Sequence, residues 1–257
     1  DYLGEVGVGS WEYRDYAPEF NHGPGWITAG SGRIDLTGKP LAEAGYTKTA
    51  FELTNRPVIA VRPVNHTGEK HSPSWKMTNA IESWSWEGCE GKVAEVEVYA
   101  RAARVDLFLN GKKVGSNTLK NSCDTRFKVE YQPGMLETVV YNQKGKEISR
   151  NTLYTAGKET ELRAIAEEQS VQKDHLAFIR LQYTDKNGTV KPLKRGILKV
   201  SVKGGKLLGL GNACPYNEIG YCTNETDTYW GEALAVVQAD GSGDVVLEVQ
   251  EIDGEQL

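Results

Sequence analysis

The chain has 257 residues, 30 of them Lys or Arg and 35 Asp or Glu, for a formal net charge of −5. That balance disfavours a nucleic-acid binder, which needs a basic patch, and no apolar run approaches the ~20 residues needed to cross a bilayer. Hydrophobic residues at 39% and charged residues at 25% suit a globular protein of one large or two modest domains.

Residues 1–55 are unlike the rest. They open on a loop-rich run dense in Gly, Pro and aromatics, with Asp1 in first place and no basic-then-apolar leader pattern, so the compartment is unreadable. Pro40 to Leu53 carries Leu41, Ala44, Thr47 and Phe51 at roughly helical spacing, with Pro40 suited to a first turn. A strand end, a long loop and one helix cannot bury a core of their own, so this piece is expected to lie against a neighbouring domain.

Residues 56–157 read as a first β-sandwich. Strand candidates include Val58–Arg62, Trp84–Trp86, Val93–Ala100, Arg104–Leu109, Thr125–Tyr131 and Glu137–Asn142. Asn110-Gly111 is the dipeptide that most strongly signals a two-residue hairpin, because both central positions need positive φ. Short strands at this spacing over ~100 residues fit an immunoglobulin-like sandwich. Residues 158–257 read as a second one. Here Leu176, Phe178, Ile179, Leu181 and Tyr183 mark a mostly apolar strand, and Asp185 to Gly188 a turn. The run from Gly204 to Gly211 lacks the order of a phosphate-binding loop, and its glycines suit bulges and close sheet packing instead.

Candidate sites are few. Trp84 and Trp86 would lie on one face of a strand about 7 Å apart, a spacing that fits a sugar-stacking platform but also the core-filling pair commoner in sandwiches. The core reading is favoured. Trp75, in a polar loop, is the better exposed stacking candidate. His66, Glu69 and His71 match no closed metal-ligand set, so no metal and no cofactor are expected. Of the four cysteines, Cys89, Cys123, Cys214 and Cys222, none forms a CxxC pair, and a Cys214–Cys222 bridge stays open.

The opening run DYLGEVGVGSW resembles the end of the last barrel strand in family 2 glycoside hydrolases of the β-galactosidase type, and Trp26 to Leu53 the loop and helix that close that barrel. The runs SWSWEG and VEVYARAARVDLFLNGKKVG are similar to the sandwich that follows the barrel in many bacterial members, and YTDKNG, LLGLGN and YWGEALAVVQA to a further C-terminal domain. The resemblance implies a mainly β fold, two immunoglobulin-like sandwiches in tandem after a remnant of a TIM barrel. It also implies retaining hydrolysis of β-glycosides in the intact enzyme by two glutamates on earlier barrel strands, outside this sequence. Asp1 and Glu5 do not replace them. In an extended strand they stand about 13 Å apart, whereas retaining glycosidases need about 5–5.5 Å. Asp1, Glu5, Trp11 and Trp26 become substrate-rim candidates, and no catalytic residue is expected here. The implied partners are the remainder of the same polypeptide and a β-linked carbohydrate, with a homo-oligomer allowed and neither nucleic acid nor membrane expected. Two other readings compete: a carbohydrate-binding module, and an adhesion-type tandem protein that would leave the first 55 residues without a role.

Overall fold

A computed structural model of the chain describes residues 32–66, 77–215, 217 and 219–252. Asp1, Glu5, Trp11, Trp26 and Trp75, together with Glu69 and His71, lie outside those residues. Among the described residues one α-helix, α1 (Ala42–Ala50), precedes fourteen strands. The first seven are β1 (Val58–Val61), β2 (Val93–Tyr99), β3 (Arg104–Leu109), β4 (Lys112–Thr118), β5 (Asp124–Glu130), β6 (Met135–Tyr141) and β7 (Glu147–Tyr154). They form a sandwich of two antiparallel sheets, ordered β1-β2-β5 and β4-β3-β6-β7.

Period-two alternation builds this core. Val105, Leu107 and Leu109 of β3 turn inward to meet Val96 and Val98 of β2, and all five are buried. Asn110 and Gly111 close the β3–β4 hairpin at φ 51° and 80°, the pair of left-handed residues a type I′ turn demands. Gly115 lets the two sheets approach, since a Cβ there would stand 2.5 Å from Cδ1 of Phe127 on β5.

The segment around the tryptophans differs from the expected strand. Residues 82–86 join no ladder, and only Ile81 bridges to Val61. Trp84 and Trp86 nonetheless plug the sandwich, both fully buried. Indole Nε1 of Trp84 donates to the carbonyl of Gln132 at 3.1 Å, and its ring meets Tyr131 edge-on at 4.8 Å. The hydroxyl of Tyr131 accepts from the Trp86 N–H at 3.0 Å. Side-chain packing, with no strand ladder, positions this stretch.

Helix α1 buries a different face from the one its sequence suggests. Ala42, Glu43, Ala44, Gly45 and Thr49 are buried, whereas Phe51 and Leu53 are 54% and 74% exposed. The reason is distance: a Cβ on Gly45 would stand 2.9 Å from Cγ1 of Val58, so only a stripe of small residues lets the helix lie on β1.

The second sandwich comprises β8 (Glu161–Ala166), β9 (Leu176–Thr184), β10 (Ile197–Lys203), β11 (Gly205–Gly211), β12 (Glu225–Thr226), β13 (Glu232–Ala239) and β14 (Val246–Ile252). Its sheets are ordered β12-β10-β14 and β11-β13-β9-β8, again antiparallel. The glycine-rich run is β11 itself. It is bulged between Leu207 and Gly209, and Gly211 faces the ring of Tyr221, where a Cβ would come to 2.3 Å. The four thiols, Cys89, Cys123, Cys214 and Cys222, are unbridged.

Asp185 ties the second sandwich to the connection between the two. Its Oδ1 accepts from the N–H groups of Asn187 and Thr189, each at 2.9 Å, closing the turn after β9. Its Oδ2 accepts from the N–H of Gly157, between β7 and β8, at 2.8 Å. Burial opposes the charge of Asp185, but the three N–H bonds outweigh it and hold the carboxyl below its usual range.

Two outcomes follow from this packing. Gly115→Ala is expected to cost about 1–3 kcal/mol, because the added methyl meets a ring held between two sheets, read as a lower denaturation midpoint at unchanged slope. A carboxyl with a depressed folded pKa stabilises the fold above its unfolded value of about 3.9 and loses that stabilisation as pH falls through the folded value. Asp185→Ala is therefore expected to cost about 1–3 kcal/mol at pH 7 and to flatten the acid limb of the stability–pH curve measured by urea titration.

Candidate functional site

The segment 33–56, the first sandwich and the second sandwich meet around a cleft of about 530 Å³. Its wall includes Lys39, Glu82, Tyr154, Tyr229, Trp230 and Glu232. Lys39 comes from the turn before α1, Glu82 from the stretch after Ile81, Tyr154 from the end of β7, and Tyr229, Trp230 and Glu232 from the turn that opens β13.

Lys39 follows a turn capped by Asp35, whose Oδ1 accepts from the Thr37 N–H and hydroxyl at 2.8 Å and from the Lys39 N–H at 3.0 Å. The Lys39 ammonium pairs with Glu232 at the start of β13, and Gln182 of β9 donates to the other oxygen of Glu232. Arg180 on β9 donates to the carbonyl of Thr37 at 3.2 Å. The segment before α1 is thus bonded to the second sandwich at two places.

It is fixed to the first sandwich by buried charge. Glu43 of α1, 1% exposed, receives Arg33 on one oxygen and the N–H groups of Met77 and Thr78 on the other. The Thr78 hydroxyl donates to Glu97 of β2, also 1% exposed, which receives Arg62 at 2.8 Å and the Tyr99 hydroxyl at 2.6 Å as well. Both carboxylates have their oxygens occupied, the condition under which buried charge is tolerated. The phenol of Tyr99, buried and bonded to Glu97, is driven well above its ordinary pKa. Sequence reasoning missed this network. Glu43 looks like any first-turn acid, and Glu97 alternates like a solvent-facing strand residue.

Burial opposes the charge of two groups on the cleft wall. The surrounding protein mass lowers the Lys39 pKa, with Asp35 opposing and Arg180 adding, although the side chain keeps 46% of its surface at the cleft wall. Burial likewise raises the Glu82 carboxyl against the pull of Arg56, Lys39 and Lys48. Lined by both signs of charge beside apolar and aromatic walls, the cleft suits a small neutral polar molecule better than a strongly charged one.

Trp230 is the least expected member. Tyr229 and Glu232 exchange N–H···O bonds of 3.0 and 3.1 Å across Trp230-Gly231, whose φ values are 52° and 75°. This is a second type I′ turn, but with a bulky aromatic where Asn or Gly is at ease. Its ring meets Trp86 of the first sandwich edge-to-face at 6.0 Å and joins that sandwich's core. The surroundings hold the strained residue in place.

The sugar-stacking reading of Trp84 and Trp86 is corrected here: Trp84 closes the cleft floor from within the core, Trp86 is covered by Trp230, and neither presents a ring face to solvent. Among the described residues no three His, Cys, Asp or Glu side chains converge in a way that would hold a metal ion. His66 ends a short 3-10 turn that begins at Val64.

These modules define the chain as a tandem of immunoglobulin-like sandwiches clamped to a helix-bearing segment. Residues 91–149 match the model of a domain of unknown function, DUF4982, and residues 161–255 that of glycoside hydrolase family 2 C-terminal domain 5. The chain is 25% identical over 223 residues to the β-galactosidase BoGH2A of Bacteroides ovatus, an alignment covering 84% of this chain and 24% of that enzyme. Among solved structures it is similar to a glycosyl hydrolase family 2 member from Bacteroides cellulosilyticus, with 27% identity and a TM-score of 0.76 over 87% of this chain and 30% of the other. A β-glycosidase from Bacteroides vulgatus shares the fold at 23% identity and a TM-score of 0.74, over 94% of this chain and 29% of its own length. Over residues 161–255 the chain carries a family 2 glycoside hydrolase C-terminal domain, and it spans about a quarter to a third of the length of these relatives.

Replacing Trp230 separates strain from packing. Trp230→Ala is expected to cost about 2–4 kcal/mol, since it removes the ring while keeping a side chain at positive φ. Trp230→Asn, which suits the turn, should cost about 1 kcal/mol less. Equal losses on thermal denaturation would assign no strain to this residue.

Proposed function

We propose that this chain is a non-catalytic accessory region of a retaining β-galactosidase, which fixes the end of the catalytic barrel relative to two rigid sandwiches. The observation that carries the reading is the double clamp on residues 33–50. Glu43 and Thr78 hold that segment to the first sandwich, while Lys39–Glu232 and Thr37–Arg180 hold it to the second. By resemblance the same segment closes the barrel, so both sandwiches act on one structural neighbour of the active site. The galactoside preference is supported by the likeness to BoGH2A, named a β-galactosidase.

The work of such a region is positional. Catalytic glutamates must be held to within a fraction of an ångström, and a barrel whose last helix is anchored through buried carboxylates has less freedom to open there. The chain by itself is expected to release no nitrophenol from aryl β-galactosides or aryl β-glucuronides. The intact enzyme should hydrolyse the galactoside, and Glu43→Ala in it should lower its thermal midpoint before kcat/KM. Turnover by the chain alone would refute the non-catalytic assignment, and an intact enzyme faster on glucuronides would refute the galactoside one.

A further inference from the structure

The outward face of the β11-β13-β9-β8 sheet carries a strip of apolar side chains that stay exposed among the described residues. On β9, Ile179, Leu181 and Tyr183 point into the sandwich core, so Leu176, Phe178, Arg180 and Gln182 point out. On β13 the outward residues are Glu232, Leu234, Val236 and Gln238. Pairing places Phe178 directly opposite Val236, and Arg180 between Leu234 and Ile165 of β8. An antiparallel sheet with one solvated face ordinarily alternates apolar with polar residues. Here Ile165, Leu176 and Phe178 are 46%, 43% and 40% exposed, and Leu208 in the β11 bulge 41%. Leu176 and Phe178 follow one another on the outward side of β9, Val236 stands opposite Phe178, and Ile165 and Leu234 flank Arg180 in the next row, a grouping unlike the scattered single apolar residues of ordinary surfaces.

We propose that this strip is the seat of the catalytic part of the same polypeptide, an inference that rests on the chain's being part of a longer glycosidase. Continuity with an existing contact carries it. Arg180, in the same cross-strand row as Ile165 and Leu234, already holds the carbonyl of Thr37, and Glu232 at the end of the neighbouring strand holds Lys39. Thr37 and Lys39 therefore already touch this face at its polar end, and the strip extends the same surface. A covalently attached domain meets it at an effective concentration in the millimolar range, well above that of a free partner. The chain spans only 24–30% of the relatives' lengths, so the remainder is large enough to cover it.

The test is carbene footprinting read by mass spectrometry, on the 257-residue chain and on the intact enzyme in parallel. Labelling of Phe178, Leu176 and Ile165 is expected to fall at least fivefold in the intact enzyme, while the core residue Leu181 stays unlabelled in both as a control on folding. Phe178→Glu in the intact enzyme should return Leu176 and Ile165 toward the labelling of the chain alone. Equal labelling in the two proteins overturns the proposal. Protection in the chain alone that rises with concentration, with a dimer in sedimentation that Phe178→Glu abolishes, also overturns it and assigns the strip to a second copy. Hydrolase assays decide the accessory role separately, because labelling does not depend on turnover.

Discussion

Two carboxylates with almost no exposure, Glu43 and Glu97, set the geometry on which the rest of the chain depends. Each would be strongly destabilising if unpaired, so each imposes a position on everything that satisfies it. Glu43 requires Arg33 and the backbone at 77–78 to arrive together, and Glu97 requires Arg62, Tyr99 and Thr78. Thr78 belongs to both sets. Through it the segment carrying α1 is locked to β2, and the small-residue face of the helix can then lie on β1 at a separation where a larger side chain would clash.

A second constraint joins the sandwiches. Trp230 sits in a backbone conformation that a tryptophan enters only under compulsion, and its ring closes over Trp86. Asp185 fixes the connecting residues from the other side through the N–H of Gly157. The aromatic contact and the Lys39–Glu232 pair both spring from the turn at 229–232, and the Asp185 carboxylate acts at a second place. Relative motion of the modules would have to break them together, which is the mechanical property an accessory region needs if it is to hold a catalytic neighbour.

Much of the fold was legible. The type I′ turn at Asn110-Gly111, the alternation in β3 and the bulge in the glycine-rich run at 204–211 follow from local rules that act within a few residues, whereas that run's being a strand, β11, was not read. The helix was legible in place, but it runs only over Ala42–Ala50 within the expected Pro40 to Leu53, and its orientation was not legible. Of Leu41, Ala44, Thr47 and Phe51, which look like an apolar face, only Ala44 is buried, and the helix buries Ala42, Glu43, Gly45 and Thr49 with it. Trp84 and Trp86 were legible as a pair, but whether they face solvent or core depends on Tyr131 and Trp230, which lie roughly 45 and 145 residues further on.

The sequence by itself determined the class of this protein: strand-length apolar segments, their turns, and a run of motifs shared with family 2 glycoside hydrolases. These are properties of local chemistry and order along the chain. Tertiary structure alone decided which charges are buried, that a tryptophan occupies a left-handed turn between modules, and that Lys39, Glu82 and Glu232 share one cleft. Each depends on residues far apart in the chain being brought within hydrogen-bonding or van der Waals distance, and no local pattern encodes that distance.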